Sequence, residues 1–381
     1  MHRKSIMIIA GETSGDIHAA GLVRRLKKKR PDLHFFGIGG DGMTEQRVET
    51  IYHIRDMAFL GFFEVLKHLP FVWRVFRRMV ALMEERRPRL VILVDYPGFN
   101  LRFAKAAKKR GFHVLYYISP QVWAWGQKRV KKIARRVDRM LVFFPFETDL
   151  YQKEGLDVRF VGHPLKDVVR VRQNKTSFFQ ELGLDPNRPT VGLLPGSREQ
   201  EIRRLLPEMI KAVKILQKTM PDLQAVVGLA PALTDAVYAP FLKRGASVRP
   251  VRNHTYHVMS HCDAVMVASG TATLETAILG TPMVILYRMS RISYLIGRAL
   301  VRLKHIGLVN IVAGRDVVPE LIQKEARAEK IAEVISVFLL DSVKLKIVIQ
   351  ELKKVSDILG DKGATERAAE AVMEFIDANT Q

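Results

Sequence analysis

Cysteine is nearly absent: Cys262 is the only one in 381 residues, which excludes an internal disulfide and any metal site built from several cysteines. Long apolar runs are absent as well. No uninterrupted stretch approaches the ~20 residues needed to span a bilayer. The first run ends at Ala10, before Gly11 and Glu12, too short for the apolar part of a secretory signal. The chain is therefore expected to be neither exported by that route nor threaded through a membrane. There is no low-complexity tract and no repeat at solenoid spacing. H-E-x-x-H, paired Cys/His spacing and a G-x-S-x-G elbow are all missing, and Asp95-Tyr96-Pro97 is not a D-x-D metal motif. Acidic residues are in short supply, with 39 against 61 Lys and Arg, a formal net charge of +22.

That positive charge is uneven. Residues 1–165 hold 31 Lys/Arg against 16 Asp/Glu, and the remainder 30 against 23. Such a field favours nucleic acid, anionic lipid head groups or phosphorylated substrates; plain solubility is the simpler reading. With 48% hydrophobic residues the chain can bury a real core, and its length suits two domains.

Short apolar runs alternate with amphipathic stretches. Ser5–Ala10, Leu90–Asp95, Val114–Ile118 and Met140–Phe144 read as strands buried on both faces, as in a parallel sheet. Asp16–Arg30 and Leu101–Arg110 read as helices between them. A second series of strands follows Gly162-His163-Pro164: Thr190–Leu194, Ala225–Val227, Ala264–Ala268 and Met283–Tyr287. The pattern turns helical after Ala326. The expected fold class is α/β, two Rossmann-like domains facing a cleft, with the connection near 162–175 and boundaries at 1–165, 166–350 and a helical 351–381. Ligands in such folds gather in the loops beyond the carboxyl ends of the strands.

Four loops there could carry chemistry. Gly11-Glu12-Thr13-Ser14-Gly15-Asp16 follows the first strand, with Asp16 a helix cap in the plainer reading; Glu12 would repel phosphate and points to sugar hydroxyls or proton transfer. Asp95 closes its strand beside Tyr96-Pro97-Gly98, placed to act as a general base or to cap a helix starting near Asn100. Pro195-Gly196-Ser197-Arg198 lets backbone approach closely and offers a fork for phosphate, without Walker spacing. Ser269-Gly270-Thr271 opens a helix on which Glu275 could accept ribose hydroxyls, or simply meet the helix dipole. Together the last two read as a nucleotide-diphosphate site. Gly37–Gly42 fits G-x-G-x-x-G on paper but does not follow the first strand, so a turn is expected there instead of a dinucleotide site.

Two stretches concern surfaces. From Leu60 to Met83, Phe62, Phe63, Phe71 and Phe76 lie among Arg74, Arg77 and Arg78, at a spacing that suits either a core helix or a helix at a lipid interface. Lys128–Arg139 places seven basic residues on one face and Val130, Ile133, Ala134 and Val137 inward.

The loops AGETSGD, GIGGDGM, VDYPGFN, ISPQVWAWGQKRVKKI, FPFE, VGHPL, LLPGSREQEI and SGTATLE, in this order, closely resemble the lipid A disaccharide synthases, as does Asn310–Arg315 with Glu320-Leu321 following. The similarity spans roughly 5–325. It implies a glycosyltransferase B type enzyme that moves 2,3-diacylglucosamine from UDP onto 2,3-diacylglucosamine 1-phosphate. The β-1,6 bond forms with inversion, UDP is released, and neither metal nor cofactor is needed. Residues 1–165 would be the acceptor and membrane-facing domain and 166–350 the donor domain. Carried onto this chain, Asp95 is the base and Glu12 its partner. Ser197, Arg198, Ser269, Gly270, Thr271, Glu275 and Asn310 hold UDP, and Ser14, Asn100 and Gln121 meet the acceptor. Gly126 stands where the family commonly has Arg. The family further implies peripheral attachment to an anionic inner-membrane surface from the cytoplasm, and a homodimer exchanging C-terminal elements.

The rival enzyme reading is another UDP-sugar transferase or an epimerase of the same fold. The rival outside enzymes is a basic nucleic-acid-binding protein, which leaves Asp95 and both phosphate-type loops idle and shows no RNA-binding signature.

Overall fold

The computed structural model describes residues 4–57, 69–123, 126, 129–242, 248–290 and 304–379, and the chain divides into two compact units, 1–164 with 360–381, and 165–359. The second unit thus runs past the expected end at 350. Helix Ser342–Ile358 belongs to it, while helix Ala364–Ala378 packs on the first unit. Arg367 Nε donates there to the Val161 carbonyl at 2.9 Å, and Lys29 Nζ meets Glu366 at 2.7 Å.

The first unit is built on seven parallel strands: β1 (Ser5–Ala10), β2 (His34–Gly39), β3 (Glu49–His53), β4 (Leu90–Val94), β5 (Val114–Tyr117), β6 (Arg139–Val142) and β7 (Asp157–Phe160). Their order is β3-β2-β1-β4-β5-β6-β7. Central β1 and β4 are almost wholly buried, which is why their sequences lack alternation. The strand order reverses between β1 and β4, the place where a doubly wound sheet opens a crevice for ligand. Gly11-Glu12 and Asp95-Tyr96 leave the sheet at that point.

Three local expectations change. Gly37–Gly42 is not a turn but the end of β2 followed by helix Asp41–Glu45. A Cβ on Gly37 would strike the Ile8 carbonyl of the neighbouring strand, so this glycine serves sheet packing. The helix expected from Leu101 starts at Pro97, whose missing N–H costs nothing in a first turn. In Lys128–Arg139, whose Lys128 lies outside the described residues, Val130, Ile133 and Val137 are buried and Arg129, Lys131, Lys132 and Arg135 exposed as expected, but the basic face is not complete. Its helix covers only Val130–Ala134, and Arg139 lies buried in β6, paired with Asp157 at 2.6 Å and donating to the Ala371 carbonyl at 2.8 Å.

The second unit carries six parallel strands in the order β10-β9-β8-β11-β12-β13: β8 (Thr190–Leu194), β9 (Gln224–Leu229), β10 (Arg249–Arg252), β11 (Ala264–Ala268), β12 (Met283–Tyr287) and β13 (Glu320–Ile322). Its reversal falls between β8 and β11, so Pro195–Arg198 and Ser269–Thr271 flank the crevice. Helices Glu199–Thr219 and Ala328–Leu340 bury Ile202, Leu206, Met209, Ile331 and Ile335 against this sheet.

Helix Leu69–Arg86 turns Val75, Met79, Val80, Leu82 and Met83 into the first unit's core. Phe76 stacks edge-on against Phe99 and Phe103 at 5.6 and 5.7 Å, and Phe71 meets Tyr52 edge-on at 6.4 Å. Both rings are half-buried against the core, which favours the core-helix alternative for these two residues over the interface one. Leu69, Trp73, Arg74, Arg77 and Arg78 are exposed, Trp73 by 60%. Phe62 and Phe63 lie outside the described residues.

Candidate active site

In the first unit the site grows from the end of β4. Asp95 and Tyr96 both adopt left-handed backbone, at φ 46° and 48°, a conformation that is strained for a bulky residue such as tyrosine. Neighbours hold it there. Tyr116 Oη donates to the Asp95 carbonyl at 2.6 Å, and Asn100 Nδ2 donates to that carbonyl at 2.8 Å and to Val94 at 3.1 Å. Pro97 then fixes the first turn of the helix. Burial, followed by the charge of Glu12, pushes the Asp95 carboxyl up from 3.8 to about 6. It is still mostly ionised at neutral pH, with the basicity a proton acceptor needs.

Glu12 reaches the same place from β1. It begins helix Thr13–Lys29 without capping it by its side chain. The Tyr96 ring covers Gly11 so closely that a Cβ there would collide with it, so glycine is required for the two loops to meet. A cavity of about 1180 Å³ opens beside them. Glu12, Ser14, Tyr96, Gly98 and Arg102 line its polar part, and Leu69, Val72, Trp73, Phe76 and Phe99 its apolar part. Asp95 itself is half-buried and set behind the wall formed by Tyr96.

Two expected acceptor contacts are not on this wall. Asn100 is wholly buried and its amide hydrogens hold the strained turn, so it supports Asp95 from behind. Gln121 is exposed but does not line the cavity. Asp16 also differs from its expected part. Its carboxylate accepts from the backbone N–H groups of Gly40, Gly42 and Met43 at 2.6, 2.9 and 3.1 Å, so it caps helix Asp41–Glu45 and ties the second βα loop to the first.

The loop after β5 is also strained, with Ile118 at φ 72°. Buried Glu147 anchors it by accepting from Trp123 Nε1 at 3.2 Å, while Ser119 Oγ meets Tyr151 Oη at 3.0 Å. Burial lifts the Glu147 carboxyl to about 7.

In the second unit, six of the seven expected donor contacts line one cavity of about 960 Å³: Ser197, Arg198, Ser269, Gly270, Thr271 and Glu275. Gly196 sits at φ 112°, and Glu201 packs where its Cβ would lie. One Glu201 oxygen accepts from the Ser197 and Arg198 N–H groups at 3.1 and 3.3 Å, and the other from Arg198 Nη1 at 3.1 Å. Those two backbone donors are thus already engaged. The loop offers instead the Ser197 hydroxyl and the exposed Arg198 fork. Glu275 accepts from Tyr256 Oη at 3.1 Å, and burial raises its carboxyl above the ordinary value.

Asn310 does not line this cavity. It is fully buried, its Oδ1 accepts from the Val317 and Val318 N–H groups, and its Nδ2 donates to Val318 and to Glu320. With every polar atom engaged, it shapes the turn before β13. The cavity wall adds Arg170, Arg172, Asn253, His254, Tyr256 and His257, none of them expected. Most follow β10, an edge strand reading Arg-Pro-Val-Arg, too short and polar to stand out in sequence. Among the described residues no group of three or more His, Cys, Asp or Glu is placed to hold a metal ion.

Residues 6–375 match the lipid-A-disaccharide synthetase family. Relatives named lipid-A-disaccharide synthase include one from Geobacter metallireducens, 48% identical over 98% of this chain and 97% of its own. Another, from Myxococcus xanthus, is 42% identical over 97% of each. Among solved structures, a UDP-GlcNAc 2-epimerase from Neisseria meningitidis bound to UDP-GlcNAc superposes with a TM-score of 0.63 at 12% identity, covering 97% of this chain and 100% of that one. The calicheamicin glycosyltransferase CalG4 does so at 0.60 and 14%, covering 100% of both. These two likenesses speak for the fold.

Proposed function

The chain belongs to the lipid-A-disaccharide synthetase family, and on that premise we propose that it transfers 2,3-diacylglucosamine from UDP to the 6-hydroxyl of 2,3-diacylglucosamine 1-phosphate. The observation that carries the chemistry is Asp95, half-buried at the sheet's reversal with its carboxyl raised to about 6 beside Glu12. The acceptor hydroxyl attacks the donor's anomeric carbon as Asp95 takes its proton. The bond from that carbon to the pyrophosphate oxygen breaks, UDP leaves, and the anomeric centre inverts. Arg198 and Ser197 neutralise the charge growing on the pyrophosphate, and Glu275 with Ser269–Thr271 holds the nucleoside end. Ser14 meets the acceptor beside Glu12.

Both substrates carry acyl chains, so the enzyme must work at a bilayer surface. No helix among the described residues is long and apolar enough to cross a membrane. Exposed Leu69 and Trp73 with Arg74, Arg77 and Arg78 form an apolar and cationic edge suited to anionic lipid. This edge supports peripheral attachment to a bilayer; the cytoplasmic face of the inner membrane and a homodimer are the family's expectation.

Incubation with both acylated sugars and mass detection of a disaccharide 1-phosphate plus UDP is the test. An isomerised UDP-sugar with no disaccharide would favour the epimerase reading, and no change in either substrate would remove the assignment.

A further inference from the structure

The cavity beside Asp95 has one charged group on its wall that the reaction leaves unexplained. Glu12 lines its polar part, and Asp95, set behind Tyr96, lies close enough for the Glu12 charge to raise its pKa. The other charged groups of the wall are mostly satisfied. Asp16 is bound by three backbone N–H groups, and Arg55 pairs with Asp41, which His53 Nε2 also approaches at 3.4 Å. Arg102 is different. Its guanidinium folds back one helical turn to donate to the Gly98 carbonyl, and among the described residues no carboxylate pairs with it. The space around Gly98 is open, since a Cβ there would meet nothing within 4 Å.

We propose that Arg102 is the binding site for the acceptor's phosphate, and that it orients the sugar with its free hydroxyl toward Asp95. This rests on the acyl-sugar phosphate reading given above. A phosphomonoester carries roughly −1.5 to −2 charges at pH 7, and a guanidinium fork binds such a group in two-pronged fashion. C1, which bears the phosphate, and C5, which bears the hydroxymethyl, both flank the ring oxygen, so a phosphate held at Arg102 fixes where the 6-hydroxyl stands. A pose with the phosphate at Glu12 instead would set a dianion against a carboxylate and leave Arg102 without a carboxylate or phosphate partner. Gly98 and Arg102 lie on the helix into which Asp95 and Tyr96 lead, so the cation stands on the element that begins beside the proton acceptor. Val72, Trp73, Phe76 and Phe99 line the apolar part of the same cavity and offer a surface to acyl chains.

The test pairs enzyme variants with acceptor variants. Wild type, Arg102→Ala and Arg102→Lys are titrated with a short-acyl 2,3-diacylglucosamine 1-phosphate and with its 1-hydroxyl counterpart, by equilibrium binding and by turnover at saturating donor. Arg102→Ala is expected to weaken the phosphorylated acceptor roughly 10- to 100-fold, as loss of a charge-assisted contact does. The effect should appear in KM more than kcat, and Arg102→Lys should restore part of it. The 1-hydroxyl acceptor should bind wild type and Arg102→Ala alike. Equal weakening of both acceptors, or no weakening of either, overturns the phosphate assignment. The binding arm decides this even if no disaccharide forms, an outcome that would instead count against the transfer reaction.

Discussion

The two sheet reversals solve the same topological problem with opposite backbone chemistry. In the first unit the loop after β4 puts two consecutive non-glycine residues, Asp95 and Tyr96, into left-handed backbone and surrounds them with hydrogen bonds. In the second unit Gly196 and Gly270 take the unusual angles, at φ 112° and 153°, and leave Ser197, Arg198 and Thr271 at the wall. The difference matches what each loop must do. A proton acceptor gains basicity from being held away from water, so strain of order 1–3 kcal/mol is tolerated to keep its carboxylate partly buried. A diphosphate is bulky and charged, so its loop needs close approach and exposed donors instead.

Removing the buried acid should break the first half of this comparison with the largest effect. Asp95→Asn is expected to lower turnover ~10²–10⁴-fold with UDP affinity intact. The same variant should be more stable than wild type at pH 8. The folded-state pKa of Asp95 is raised from 3.8 to about 6, so its ionisation costs stability as pH rises through that window and the full cost stands above it. The amide escapes that cost, worth up to about 3 kcal/mol, and the advantage should vanish below about pH 4. Urea midpoints at both pH values check it; equal stability at pH 8 would show that the carboxylate is not penalised by burial.

On the other side of the comparison, Arg198→Ala should weaken UDP by about 1.5–3 kcal/mol, read by calorimetry, with turnover falling too. Glu201→Gln should weaken UDP in the wild-type background but add little to Arg198→Ala, because Glu201 acts through the loop it folds. Additive losses would separate the two residues. Glu12→Gln sharpens the first side: with its charge gone, the acid limb of the kcat/KM profile, expected near pH 6, should move to lower pH. An unmoved limb would detach Glu12 from Asp95.

The smallest effect concerns the surface helix. Trp73→Ser should reduce binding to anionic vesicles a few-fold and leave the melting temperature unchanged, whereas Phe76→Ser should destabilise by about 2–4 kcal/mol, since it packs on Phe99 and Phe103. A lowered melting temperature for Trp73→Ser with unaltered vesicle binding would withdraw the docking edge.

The central strands and their loops were legible in the sequence because β1, β4, β8 and β11 are buried on both faces and leave uninterrupted apolar runs. Edge strands β3, β10 and β13 were not, since short, half-exposed strands mix polar and apolar residues without a marked period. His254, Tyr256 and His257 were missed along with β10. The two asparagines were misplaced for a different reason. An amide that binds a ligand and one that binds the backbone look the same in sequence, and only the occupied partners of Asn100 and Asn310 distinguish them.

Composition and order alone determined that this is a basic α/β chain with two sets of glycine- and acid-bearing loops, and that Asp95, Glu12, Arg198 and Glu275 stand at strand ends or helix starts. These are local properties, set by residue type and by hydrophobic patterning along the chain. Tertiary structure decided which polar groups face a cavity and which are spent on the fold: Asp16 as a tie between loops, Glu201 as the brace of Gly196, Phe76 as packing, Arg102 as a cation with no carboxylate partner among the described residues. The reason is that a side chain's chemistry depends on what lies within a few ångströms of it. For these residues the deciding neighbours come from other strands and turns, whose register no local pattern specifies.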